Sequence, residues 1–319
     1  MPPRTVDVPS LVAAAREGRP RAVARLISLV EDGHPALREV MSALATHTGH
    51  AHVVGVTGAP GVGKSTMTNA IVTAYRSRGR RVGVLAVDPS SPFSGGALLG
   101  DRIRMTEHSA DPEVFIRSMA SRGHLGGLSW AAPQALRVLD AAGCDVVVLE
   151  TVGVGQSEVE VAGTADTTVV LLAPGMGDGI QAAKAGILEV ADVLVVNKAD
   201  RDGADRTVRD LRQAVSMLVA SDPTTWRPPV VRAVAATGDG VEAVVAAVEE
   251  HLSFLGTDGV RARRARRAAT EIQGLALDAL RARVGGLPGD AGLDGLAAEV
   301  VAGRLDPYAA ADRLVESVT

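Results

Sequence analysis

Gly58-Ala59-Pro60-Gly61-Val62-Gly63-Lys64-Ser65 fills every fixed position of the spacing G-x-x-x-x-G-K-[ST]. Those residue types suit a polyphosphate. Gly58 and Gly63 let the backbone turn so that successive N–H groups converge on a β-phosphate. Lys64 brings a mobile charge to the β and γ oxygens, and the Ser65 hydroxyl is short enough to ligate Mg²⁺. A helix opening at Lys64 to Thr66 would add the positive end of its dipole. A glycine-rich turn arising by chance would lack suitable flanks. Here Val53-Val54-Gly55-Val56 reads as a strand entering the loop, and Met67, Ile71 and Ala74 carry helical spacing out of it.

Acids recur downstream at the ends of apolar runs, where a doubly wound sheet presents its ligand. Asp88 ends the run Val82 to Val87 and is followed by a Gly/Ser-rich stretch reaching Asp101. Both are candidates for Mg²⁺, directly or through water, and both could equally cap a turn or a helix. Glu150 ends the run Val146 to Leu149, where a Walker-B carboxylate belongs, and Gly153 can offer its N–H to a γ-phosphate. Gln156 could orient an attacking water or stand as an ordinary surface residue. Asn197-Lys198-Ala199-Asp200 matches the N-K-x-D pattern that reads guanine. The Asp200 carboxylate would accept from N1–H and the 2-amino group, a donor pair adenine lacks, while the Lys198 stem lies along the base. Ala235-Ala236-Thr237 would supply a backbone N–H to guanine O6. GTP is thereby favoured over ATP.

The elements that must position these groups alternate from residue 49 onward, which predicts an α/β fold: a P-loop NTPase with a mostly parallel, doubly wound sheet. Strands are expected at Val53 to Val56, Val82 to Val87, Val114 to Ile116, Val146 to Leu149, Thr168 to Leu172, Val193 to Val196 and Val230 to Val234. Helices are expected at Trp130 to Ala141, Ile180 to Val190, Arg206 to Leu218 and Val241 to Leu255. Before the sheet, Leu11 to Arg16, Arg21 to Val30 and Leu37 to Leu44 read as three short helices. Val23, Leu26, Ile27 and Val30 give the middle one an apolar face that must cover something. Past Gly256 a long helix, Val260 to Val284, opens on five arginines, and two shorter helices follow, the last capped by Asp306 with Pro307 at its first position. The predicted organisation is a helical segment at 1–48, a nucleotide domain at 49–255 and a helical arm at 256–319.

Composition narrows the function classes. A net charge of -4 with 2% aromatics offers neither an electrostatic footprint nor stacking platforms for nucleic acid. No apolar run approaches a membrane span, and the opening residues lack the apolar core of a secretory signal. The single cysteine, Cys144, cannot form an internal disulfide, so a reducing, cytoplasmic setting is the expectation.

The stretches Val87-Asp88-Pro89-Ser90-Ser91, Ser94-Gly95-Gly96, Leu99-Gly100-Asp101, Glu150 to Glu158 and Val196 to Asp200, taken together, resemble the MeaB/ArgK/MMAA family of GTPase chaperones of methylmalonyl-CoA mutase. The resemblance covers essentially the whole chain. It implies GTP and GDP as ligands with Mg²⁺, and an adenosylcobalamin-dependent acyl-CoA mutase as client. It implies a homodimer built through the C-terminal arm. Lys64 and Ser65 would bind phosphate and Mg²⁺, Asp88, Asp101 and Glu150 would belong to the magnesium and switch apparatus, and Asn197, Lys198 and Asp200 would bind guanine. Gly177 to Lys184, with Asp178, Gln181 and Lys184, looks like the family's additional client-responsive switch. Two alternatives compete: a nickel-type metallochaperone GTPase, and an ATP-dependent kinase acting on an amino-acid transport protein. Seven scattered histidines and one cysteine give the first no metal-binding tract, and no adenine-specific feature supports the second.

Overall fold

The computed structural model describes residues 6–88, 108, 110–120, 131–151, 157–175, 188–218, 225–285 and 292–317. Seven strands form one sheet: β1 (His52–Gly58), β2 (Val82–Asp88), β3 (Val114–Ala120), β4 (Val146–Thr151), β5 (Thr167–Leu172), β6 (Val193–Val196) and β7 (Val230–Arg232). Their order is β3-β2-β4-β1-β5-β6-β7, and every pairing is parallel. β1 is central, and β4, β5 and β6 are buried along their whole length. With helices on both faces β4, β5 and β6 are shielded from water on both sides, which is why these segments read as near-continuous Val and Leu.

Ten helices are described: α1 (Val8–Arg16), α2 (Pro20–Glu31), α3 (Leu37–Leu44), α4 (Lys64–Ser77), α5 (Ala132–Ala141), α6 (Ser157–Thr164), α7 (Ala204–Leu218), α8 (Val241–Gly285), α9 (Leu293–Val301) and α10 (Pro307–Glu316). Alternation along the strands sorts them into layers. Val54 and Val56 of β1, with Val146 and Val148 of β4, pack on Met67 and Ile71 of α4 and Val244, Val245 and Val248 of α8. Leu85, Val147 and Leu149 belong to a second core cluster with α1, α2, α3 and α5. Val170, Leu172, Leu194 and Val196 pack with Val208 and Leu211 of α7. Gly55 admits α6: a Cβ there would lie 2.3 Å from Val161 Cγ1.

The helices before β1 are part of the core. Leu26, Ile27, Leu29 and Val30 of α2 are each at most 1% exposed. Arg117 of β3 donates to Ser28 Oγ (3.0 Å) and pairs with Glu31, fastening α2 to the sheet edge. Asp140 of α5 accepts from the backbone N–H groups of His50 (3.2 Å) and Ala51 (2.9 Å), so the chain enters β1 under a carboxylate cap.

Among the bounds that differ from the sequence-based expectation, three have a visible cause. β3 runs on to Ala120, because Arg117 and Ser118 pair with β2 although they interrupt the apolar run. β7 stops at Arg232, because Val234 N–H donates to Asp239 O (2.8 Å) and closes a loop instead of continuing the ladder. The two helices expected on either side of Gly256 follow one another as α8, with the break at Gly256 itself (φ 58°, ψ −175°). Most of the helix expected at Ile180 to Val190 lies outside the described residues.

The chain divides into two compact units, Met1–Val260 and Arg261–Thr319. In the second, α9 packs on α10, whose first N–H groups are capped by Asp306 (2.9 Å to Tyr308 N, 3.2 Å to Ala309 N) with Pro307 in the first turn. Among the described residues no helix is long and apolar enough to cross a membrane.

Candidate nucleotide site at the strand ends

The carboxyl end of β1 turns through Gly58 to Ser65 into α4. Gly63 is the N-cap of α4 at φ 95°, and a Cβ on it would lie 2.5 Å from Asn197 Nδ2. Gly58 has φ 141°, and a Cβ there would meet Leu171 O at 2.3 Å. Neither position can carry a side chain. No side chain caps α4, so its first-turn N–H groups and dipole are turned to the loop, an arrangement suited to an anion. Lys64, 9% exposed, folds back along the loop and donates from Nζ to Gly58 O (2.8 Å) and Ala59 O (3.1 Å).

Beside the loop, β4 presents Glu150, which stands opposite Val56 of β1 and is 3% exposed. Its Oε1 accepts from Ser65 Oγ at 2.6 Å. A hydroxyl and a carboxylate in contact at the mouth of a phosphate loop are oxygen donors of the kind Mg²⁺ takes alongside phosphates and waters, and the residues present fit that ion. Asp88 ends β2, next to β4 in the sheet. Asp101, Gly153, Gln156, Asp178, Gln181 and Lys184 lie outside the described residues.

The loops after β6 and β7, which carry the residues expected to read guanine, stand beside the phosphate loop. Asn197, 2% exposed, donates through Nδ2 to Val62 O (2.8 Å) and accepts at Oδ1 from Ala235 N–H (3.0 Å). One side chain therefore ties the phosphate loop to the loop after β7. Lys198 takes a left-handed backbone (φ 56°), alone among the described non-glycine residues, and its Nζ donates to Gly61 O at 2.6 Å. Its stem is stretched between the base side and the phosphate side. Asp200 is exposed. Of the three N–H groups considered for guanine O6, that of Ala235 is taken by Asn197 and that of Thr237 by Val234 O (3.0 Å), which leaves Ala236. A cleft of about 670 Å³ runs from Ser65 and Thr66 along α4 to Ala235 and Ala236.

Two features escaped the sequence reading. The first is the clamping action of Asn197, since a tetrapeptide pattern does not show what its first residue bonds. The second is a pair of fully buried threonines at the strand tips, Thr57 and Thr151, whose hydroxyls have no protein partner. Threonine at a strand end is too common to have signalled them.

A parallel sheet with a phosphate loop on its central strand and an N-K-x-D loop clamped against it defines a P-loop GTPase. The family model "Methylmalonyl Co-A mutase-associated GTPase MeaB" matches residues 23–288, and the chain belongs to that family. A Pyrococcus horikoshii relative is 45% identical over 313 residues, 98% of each chain. GTPase ArgK of Escherichia coli is 37% identical over 250 residues, 76% of each chain. The Caenorhabditis elegans "Methylmalonic aciduria type A homolog, mitochondrial" is 34% identical over 275 residues, 81% of this chain and 69% of its own. Among solved structures, one of LAO/AO transport system kinase superposes with a TM-score of 0.69 at 26% identity, covering 98% of this chain and 97% of that one. Guanine-nucleotide binding follows from membership.

Proposed function

We propose that this GTPase is a nucleotide-gated chaperone of an adenosylcobalamin-dependent acyl-CoA mutase, methylmalonyl-CoA mutase or a relative, controlling cofactor delivery and protecting the enzyme. The observation that carries the guanine half is the clamp: Asn197 and Lys198 bond to Val62 O and Gly61 O, so base reading and phosphate binding share one rigid frame. The mutase half is supported by the family and by the Caenorhabditis elegans relative.

In this reading the N–H groups from Gly58 to Thr66 and the Lys64 ammonium hold the β- and γ-phosphates. Asp200 accepts from the guanine N1–H and 2-amino group, Lys198 lies along the ring, and Ala236 N–H donates to O6. Ser65 and Glu150, with Asp88 and Asp101, would hold Mg²⁺, which when bound neutralises charge developing on the phosphates. Gly153 would donate to the γ-phosphate and Gln156 would orient the attacking water. Lys184, with Asp178 and Gln181, would couple the site to the client. The organisation keeps the bounds of the sequence reading, a helical segment at 1–48 that packs into the core of the nucleotide domain at 49–255, and an arm at 256–319 that would form a homodimer.

The test measures GTP and ATP binding, then GTP turnover with and without a methylmalonyl-CoA mutase from the same source. Preference for GTP, stimulation by the mutase and loss of that stimulation in Lys184→Ala with basal turnover retained are expected. Equal ATP binding would favour the kinase reading, and equal stimulation of wild type and variant would remove Lys184 from the mechanism.

A further inference from the structure

The loop that carries Asp200 runs from the end of β6 at Val196 to the start of α7 at Ala204. Asp200 itself is exposed, so its place is set by what holds the loop on either side. Lys198, two residues earlier, lies in the left-handed region (φ 56°), a conformation that a residue with a side chain keeps only where its surroundings over-determine it. Backbone bonds contribute: Asn197 N–H donates to Leu172 O (2.9 Å), Ala199 N–H to Ala233 O (3.1 Å) and Arg201 N–H to Lys198 O (3.0 Å). A side chain from outside the N-K-x-D pattern joins them. Arg232, the last residue of β7, pairs through one guanidinium nitrogen with Asp205 in the first turn of α7 and donates through the other to Ala199 O (3.4 Å). These two acceptors bracket Asp200, one beside it in the chain and the other at the start of the following helix.

The side chains of Arg232 and Asp205 are 51% and 71% exposed, and an ion pair so placed contributes little to stability by itself. What the fork adds is geometry. A planar guanidinium holds two acceptors at a set separation more rigidly than a flexible ammonium can. The base of the fork is fixed as well. Arg232 stands opposite Val196 in the β6–β7 ladder, and a Cβ on Gly240 (φ 73°) would lie 2.2 Å from Arg232 O, so the turn that closes the Ala235 to Thr237 loop rests on the same residue. Arg232 therefore meets both loops expected to read guanine, the second through its backbone and the first through its side chain.

We propose, on the guanine reading of Asp200 proposed above, that Arg232 is a positioning residue for base recognition, stapling the loop between Ala199 and Asp205 so that the Asp200 carboxylate meets both the N1–H and the 2-amino group. Inosine diphosphate keeps N1–H and lacks the 2-amino group, so the ratio of GDP to IDP affinity in full-length protein reads the second of these bonds. Arg232→Met should lower that ratio about three- to tenfold, the loss of one misplaced hydrogen bond, while affinity for inorganic pyrophosphate, which reads the phosphate loop, stays at the wild-type value. Arg232→Lys, which keeps the charge without the fork, should fall between the two. A wild-type ratio in Arg232→Met overturns the proposal, and so does an equal loss of GDP and IDP, which would make the residue a general support of the fold. Asp200→Ala separates this role from the reading beneath it. If Asp200→Ala lowers the ratio and Arg232→Met does not, Arg232 alone is misassigned; if Asp200→Ala leaves the ratio at the wild-type value, the guanine reading of Asp200 fails and the positioning role with it.

Discussion

At the scale of single residues, the proposed base recognition rests on one exposed carboxylate and one buried amide. Asp200→Asn should lower GTP affinity roughly ten- to a hundredfold, the loss of a charged hydrogen bond worth about 1.5–3 kcal/mol, and raise affinity for xanthosine nucleotides, whose O2 accepts from the new amide. Competition binding of GTP and XTP reads this, and an unaltered preference would take Asp200 out of the base site. Asn197 acts differently, since its bonds hold Val62 O and Ala235 N–H. Asn197→Ala strands both partners, so stability should fall by about 1–3 kcal/mol along with nucleotide affinity. Urea unfolding with and without GDP separates the two effects. A stability equal to wild type would mean that the clamp holds nothing.

At the scale of elements, the helices before β1 are core, and α2 bears the proof. Leu26 is fully buried against the sheet cluster, and Leu26→Ala should cost about 2–5 kcal/mol in urea unfolding. A cost below 1 kcal/mol would make the segment a detachable preface. The sheet's β2–β3 edge carries a pH dependence of known sign. Arg76 bonds to Asp111 and holds its carboxyl below the usual range, and Arg81 does the same to Glu113. A lowered folded value means that the stabilisation is full above the unfolded value, near 4, and is lost as pH falls through the folded one. The stability gap between wild type and Asp111→Asn should thus be widest above about pH 5 and close on acidification below about pH 4. A gap independent of pH would show that the pair contributes by packing.

At the scale of the whole molecule, the second compact unit leaves large apolar side chains in water: Ile272 is 66% exposed and Leu275 52%, with Leu277 and Leu280 also exposed. These exposed residues on one stretch of α8 motivate the proposed two-fold homodimer, whose interface would cover them. Full-length protein should sediment as a dimer at micromolar concentration, and a chain ending before Thr257 should remain a monomer that binds GTP. A monomeric full-length protein would refute this assembly.

What was legible without coordinates was whatever local chemistry dictates. Buried parallel strands must be apolar on both faces, so β1, β4, β5 and β6 could be read as Val and Leu runs, and a phosphate loop needs Gly58, Gly63, Lys64 and Ser65 within eight residues. Asn197-Lys198-Ala199-Asp200 stood out for the same reason, since the guanine reading proposed for it demands that spacing. Arg117 and Ser118 concealed the second half of β3, because the ion pair and hydrogen bond that place Arg117 there run to α2, more than 85 residues earlier. The end of β7 was hidden too, because the choice between a ladder and the Val234–Asp239 loop is made by hydrogen bonds. Strand order, the contact of Ser65 with Glu150 and the reach of Asn197 to Val62 required the folded chain. Sequence determines which groups can do chemistry where that chemistry is local. Only tertiary structure decides which distant groups meet, because that depends on how the strands and helices between them pack.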